Sequence, residues 1–122
     1  MSSKQRQLVA YIVVRRDLIT DLKWPLGAVM AQVAHATAAM LWEMKADDNV
    51  IEYMSKPQSM RKVVLEVPND VELKKSCDQL SAHDIRYHLW IEQPENIPTC
   101  IVVRPEEKTT VHKHLKHLKL FA

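Results

Sequence analysis

The chain contains a single glycine, Gly27, among 122 residues. Loops that cradle phosphates in P-loop and dinucleotide-binding folds need several glycines to bring backbone close to the phosphate, so both classes are excluded. Cysteine is almost as scarce. Cys77 and Cys100 stand far apart without the spacing of a metal or redox motif, and they read as reduced, buried thiols. No apolar run reaches the roughly eighteen residues of a membrane span, so no membrane partner is expected. Excess charge of one sign is also missing, because 17 Lys and Arg stand against 15 Asp and Glu for a net charge of +2. That balance permits a nucleic-acid partner without requiring one. The polar start, Met1 to Gln7, lacks the apolar core of an export signal. The expectation is a cytoplasmic protein, one domain over 1–122 with a flexible tail over 1–7.

What is present is apolar patterning. Leu8 to Val14 is a continuous β-branched and apolar run, the pattern of a strand buried on both faces. A polar connection over 15–24 leads to Trp24-Pro25, and proline suits the entry of a helix that should run from Leu26 to about Lys45. A short helix is expected over Asn49–Ser55 and a second strand over Arg61–Val67. Asn69 and Glu72 have the spacing of a capping box, with Leu73, Cys77 and Leu80 on one face of the helix they open. Strands are predicted over 86–92 and 99–104, joined by the polar loop Gln93 to Pro98. Pro105-Glu106-Glu107 should start the last helix, with Val111, Leu115 and Leu118 facing inward. The order β-α-(α)-β-α-β-β-α predicts an α/β protein with three α/β/α layers around a mixed four-stranded sheet.

The long helix carries the most informative residues. At about 100° per residue, Ala28, Gln32, His35, Ala39 and Glu43 share one stripe on a helix otherwise built of apolar and small side chains. A helix so apolar should be largely buried, and its polar groups then need partners. Gln32 and His35 either bond to adjoining loops or serve a cleft where an imidazole exchanges protons near neutral pH. Met30, Met40, Trp42 and Met44 read as core, with a homodimer interface as the alternative. Arg15-Arg16 and the terminal cluster Lys108, His112, Lys113, His114, Lys116, His117 and Lys119 are either phosphate contacts or solvated charge. The histidines of that cluster lack a completing cysteine or carboxylate, so no metal is expected there. Cys100, inside an apolar strand, is expected to be inert.

Four separated segments resemble the type II peptidyl-tRNA hydrolases of archaea and eukaryotes. They are Val13-Val14-Arg15-Arg16-Asp17-Leu18, the helix with Gly27, Ala31, Gln32, His35 and Ala36, the strand Lys62-Val63-Val64-Leu65, and Leu89 to Ile97. The last of these is most similar to the divergent peptidyl-tRNA hydrolase domain-containing branch. The resemblance spans nearly the whole chain. It implies hydrolysis of the ester between a peptide and the 3′ end of tRNA, a translation-linked activity with tRNA as partner and no cofactor. It also implies His35 and Glu92 as the pair that handles protons or orients water, and Gln32 and Asn96 as positioning groups. Arg15, Arg16 and Lys23 would meet phosphates. Two motif lysines of the family fall on Leu26 and Ala28 here, and the family's loop aspartate falls on Glu92. A module that binds tRNA or protein with little or no turnover is the second expectation.

Overall fold

The computed structural model describes residues 6–122. Of the tail expected over 1–7, residues 1–5 lie outside the described residues. Arg6 is tied down by hydrogen bonds to Asn49 at 2.9 Å and Glu52 at 2.6 Å.

The elements are β1 (Leu8–Arg15), α1 (Asp17–Thr20), α2 (Leu26–Glu43), α3 (Asp48–Met54), a 3-10 turn at Pro57–Ser59, β2 (Arg61–Val67), α4 (Asp70–Ala82), β3 (Tyr87–Glu92), β4 (Ile97–Val103), β5 (Glu106–Glu107), α5 (Lys108–Leu115) and β6 (Lys119–Leu120). They form the expected α/β/α layers on a mixed sheet ordered β3-β4-β1-β2-β6, with β5 paired to β1. β1 runs parallel to β2 and antiparallel to β4. Every residue of β1 is buried, which is why its apolar run is unbroken. Its side chains alternate between two cores. Val9, Tyr11 and Val13 pack with Leu73, Leu80, Val111 and Leu115 of α4 and α5. Ile12 and Val14 pack with Leu18, Val29, Ala36 and Met40 of α1 and α2. Fully burying a side chain such as Ile12, Met40, Leu73 or Ile101 contributes about 1.5–3 kcal/mol.

Five expectations need correction. The sheet has six strands rather than four, because two-residue pairings add β5 against β1 and β6 against β2. Pairings so short carry no periodic signal in the sequence. The connection over 15–24 contains α1, and the chain turns away beyond it through Lys23 in a left-handed conformation (φ 60°), with the Trp24 amide donating to the Leu18 carbonyl. The last helix starts at Lys108, since Glu106 and Glu107 pair with β1 first, and Leu118 packs on the core from beyond its end. Only half of the capping box forms: the Asn69 side chain accepts from the Glu72 amide, while the Glu72 carboxylate turns to Lys75 at 3.0 Å. Finally, α2 buries one face only. Met40 and Met44 are core, as expected, but Leu26, Met30 and Trp42 stand in solvent.

Candidate functional site

The site is built where α2 crosses β3 and β4 on the α1–α2 side of the sheet. On β3, the period of two puts His88, Trp90 and Glu92 on this side and Tyr87, Leu89 and Ile91 on the side of α4. Gln32 projects from the buried face of α2 toward β4, where Thr99 lies fully buried at the strand's start. The Thr99 hydroxyl donates to Gln32 Oε1 at 3.1 Å, and the Cys100 thiol donates to the Gln32 backbone carbonyl at 3.5 Å. With its oxygen taken by Thr99, the Gln32 amide nitrogen faces Glu92.

Glu92 collects the donors. Trp90 Nε1 gives its hydrogen to Glu92 Oε1 at 3.1 Å. That indole hydrogen bond, then the one from Gln32, and further down the charge on His35, hold the Glu92 carboxyl below the ordinary carboxylate range. Glu92 is therefore an anion at neutral pH, and its hydrogen-bond donors, an indole and an amide, are neutral. His35 is exposed on α2 and stacks on Trp90 with ring centroids 4.9 Å apart and planes 21° from parallel. The indole thus holds the carboxylate with its edge and the imidazole with its face. Burial pushes the Cys100 thiol up to about 12, so this buried sulfur remains a neutral donor, as expected for an inert cysteine.

The other site candidates have different surroundings. Arg15 is buried, clamps Asp17 through two 2.9 Å bonds and donates to the Pro98 carbonyl at 2.9 Å. It thereby ties the end of β1 to α1 and to the start of β4, next to Thr99. Arg16 turns toward the β2–β6 edge, where it bonds the Ala122 carbonyl at 2.7 Å, pairs with Glu66 at 3.6 Å and covers the Phe121 ring. Lys23 is exposed and enters none of the bonds joining Gln32, Thr99, Trp90 and Glu92. Asn96 sits in the β3–β4 turn with φ 58°, its amide donating to the Glu92 carbonyl at 2.7 Å and its side chain accepting from Gln93. It shapes the turn that carries Glu92. The basic cluster of α5 lies across the sheet, on the α4 side, with His114 against His83.

Two contributors, Trp90 and Thr99, were absent from the residues expected in the site. Each had a signal in the sequence. Trp90 stands two residues before Glu92 and so on the same strand face. Thr99 is a polar residue opening the otherwise apolar run Cys100 to Val103.

Comparison with known proteins agrees with the resemblance read from the motifs. Residues 8–121 match the family model described as Peptidyl-tRNA hydrolase PTH2. Two relatives, from Homo sapiens and Mus musculus, carry the name "Putative peptidyl-tRNA hydrolase PTRHD1". The human protein is 43% identical and the mouse protein 42% identical over 115 residues, which is 93% of this chain and 82% of each relative. The match covers every element that builds the site, from β1 to the β3–β4 hairpin, and the chain belongs to the PTH2 family of peptidyl-tRNA hydrolases.

Proposed function

We propose that this chain hydrolyses peptidyl-tRNA, with His35 and Glu92 as its working pair. The observation that carries this reading is the Glu92 carboxylate, held ionised by the neutral donors Trp90 and Gln32 while its neighbour His35 lies on the same indole. A structural carboxylate in a partly buried place is usually matched by a lysine or arginine. This one has the imidazole of His35 beside it instead, a side chain suited to taking and returning a proton.

In the proposed reaction, water attacks the ester carbonyl and His35 takes the water's proton. The imidazolium so formed is opposed by the anionic Glu92, which also orients the water. The bond from carbonyl carbon to ribose oxygen then breaks, and the imidazolium returns its proton to that oxygen. The products are deacylated tRNA and a free peptide acid, which releases its proton to solvent as the carboxylate. Gln32 positions Glu92, Thr99 fixes the orientation of the Gln32 amide, and Asn96 sets the turn. Arg15 supports Pro98 from beneath. The phosphate contacts of this reading fall to Lys23 and to the solvent-facing part of Arg16.

A second reading, a tRNA-binding module with little turnover, is favoured by one feature. The positions of the family's motif lysines hold Leu26 and Ala28, and Arg15 is fully engaged with Asp17 and Pro98. Incubation with labelled peptidyl-tRNA separates the two readings. Hydrolysis is expected over many turnovers, with a loss of about a hundredfold or more in His35→Ala and Glu92→Gln. A salt-sensitive complex of intact peptidyl-tRNA without turnover would establish the binding module instead.

A further inference from the structure

Trp42 is 71% exposed near the end of α2. The Lys45 ammonium stands over its ring at 3.7 Å from the centroid. An indole plane in solvent with an ammonium on it matches what one unpaired base and one phosphate require, since any base stacks on an aromatic face and any phosphate meets a cation. Trp42 is seven residues after His35, so it lies on the same side of α2, about 20° round and about 10.5 Å along the axis. Only Ala38 and Ala39 intervene on that side, which leaves a shelf without bulky side chains. Glu43, the neighbouring acid, is turned onto His88 of β3. The exposed Met30 belongs to a separate flank, about 140° round from His35.

We infer that Trp42 and Lys45 form a stacking platform for the single-stranded 3′ end of tRNA, running along α2 toward the ester held at His35 and Glu92. The inference rests on the hydrolase or tRNA-binding reading above and adds where the RNA tail lies. The lengths agree. Stacked nucleotides advance about 3.4 Å each, so the 10.5 Å between His35 and Trp42 corresponds to about three of them. The base third from the acylated ribose would reach the indole, and Lys45 would leave the ring for a phosphate.

The test is binding of fluorescently labelled deacylated tRNA, with its 3′ tail intact or with the unpaired terminal nucleotides removed, to the wild type, Trp42→Phe and Trp42→Ala. Trp42 projects into solvent, so its truncation leaves the core intact, and a melting curve of each variant checks this. Expected is a loss of about 5- to 100-fold in affinity for intact tRNA in Trp42→Ala, largely restored in Trp42→Phe, and no change for the tailless tRNA. Equal affinity of wild type and Trp42→Ala for intact tRNA would overturn the platform while leaving tRNA binding in place. So would equal weakening toward both RNAs. A wild type that binds neither RNA would overturn the platform together with the tRNA reading. Binding needs no turnover, so the outcome does not depend on whether the ester is cleaved.

Discussion

Two polar clusters flank β1, one at each end, and they are built on opposite principles. At its amino end, Asp47 caps α3 by accepting from the Asn49 and Val50 amides and also takes hydrogen bonds from Arg104 at 2.8 Å and Arg86 at 3.3 Å. Arg104 reaches Glu106 at 2.6 Å, and Asn49 joins Arg6 to the Pro105 carbonyl. Each acid there has a permanent cation. At the carboxyl end, Glu92 has an indole, an amide and a histidine. The first arrangement holds a chain crossing together. The second, in the hydrolase reading proposed above, sets a negative charge beside an imidazole placed to exchange a proton with water.

The sharpest way to break this contrast is to remove Glu92 charge. Glu92→Gln should lower turnover by about a hundredfold or more while the unfolding midpoint stays nearly fixed, as the amide can still accept from Trp90. Removing Asp47 should do the reverse. Asp47→Ala uncaps α3 and leaves Arg104 with an unmatched charge, for a loss of about 2–4 kcal/mol in urea unfolding. Activity per folded molecule should be unchanged.

Gln32→Ala belongs between the clusters' behaviours, because Gln32 both fills a buried place and positions Glu92. It should cost about 1–3 kcal/mol, as the buried Thr99 hydroxyl loses its best acceptor and keeps only the longer approach to the Trp90 carbonyl at 3.5 Å, together with part of the turnover. Gln32→Glu should recover neither, since it sets a second carboxylate against Glu92.

Acid sharpens the same comparison. Burial by itself would raise the Asp47 carboxyl, but the Arg104 hydrogen bond and the amides of Val50 and Asn49 outweigh it and hold it below the usual aspartate value. A depressed native value means that Asp47 contributes stability in full above the unfolded value, near pH 4, and loses it as pH falls through the native one. Unfolding curves between pH 7 and pH 2 should show this acid loss in the wild type and much less of it in Asp47→Asn. The smallest effect is expected at Cys100. With its thiol pushed up to about 12 by burial, iodoacetamide should leave the folded protein's activity intact and label Cys100 only on unfolding.

Much of the fold was legible in the residues because its elements carry strong periods. The unbroken run of β1 announced a strand buried on both sides, and Asn69 marked the start of α4. β5 and β6 were not legible. Two-residue pairings depend on what the sheet brings alongside Glu106 and Lys119, and nothing local encodes that. The exposure of Met30 and Trp42 was hidden for a related reason: composition gives a helix's mean polarity but not which side meets the sheet.

In the candidate site, spacing alone put Gln32 and His35 on one stripe, and the family resemblance supplied Glu92. Neither indicated that Trp90 would hold both partners. That depends on β3 lying under α2, a tertiary fact. Arg15 was misleading for the same reason. Its sequence neighbours suggest a solvated basic pair, yet Asp17 two residues on and Pro98 across the sheet engage each of its three nitrogens.

If charge at the two ends of β1 serves different purposes, one paired measurement separates them. Peptidyl-tRNA hydrolysis at 20 °C and the urea midpoint would be recorded for the wild type, Glu92→Gln and Asp47→Asn. Glu92→Gln should lose turnover and keep its midpoint, while Asp47→Asn should keep turnover and lower its midpoint. A Glu92→Gln protein that unfolds early yet turns over normally would contradict this division, and would make Glu92 a structural carboxylate like Asp47.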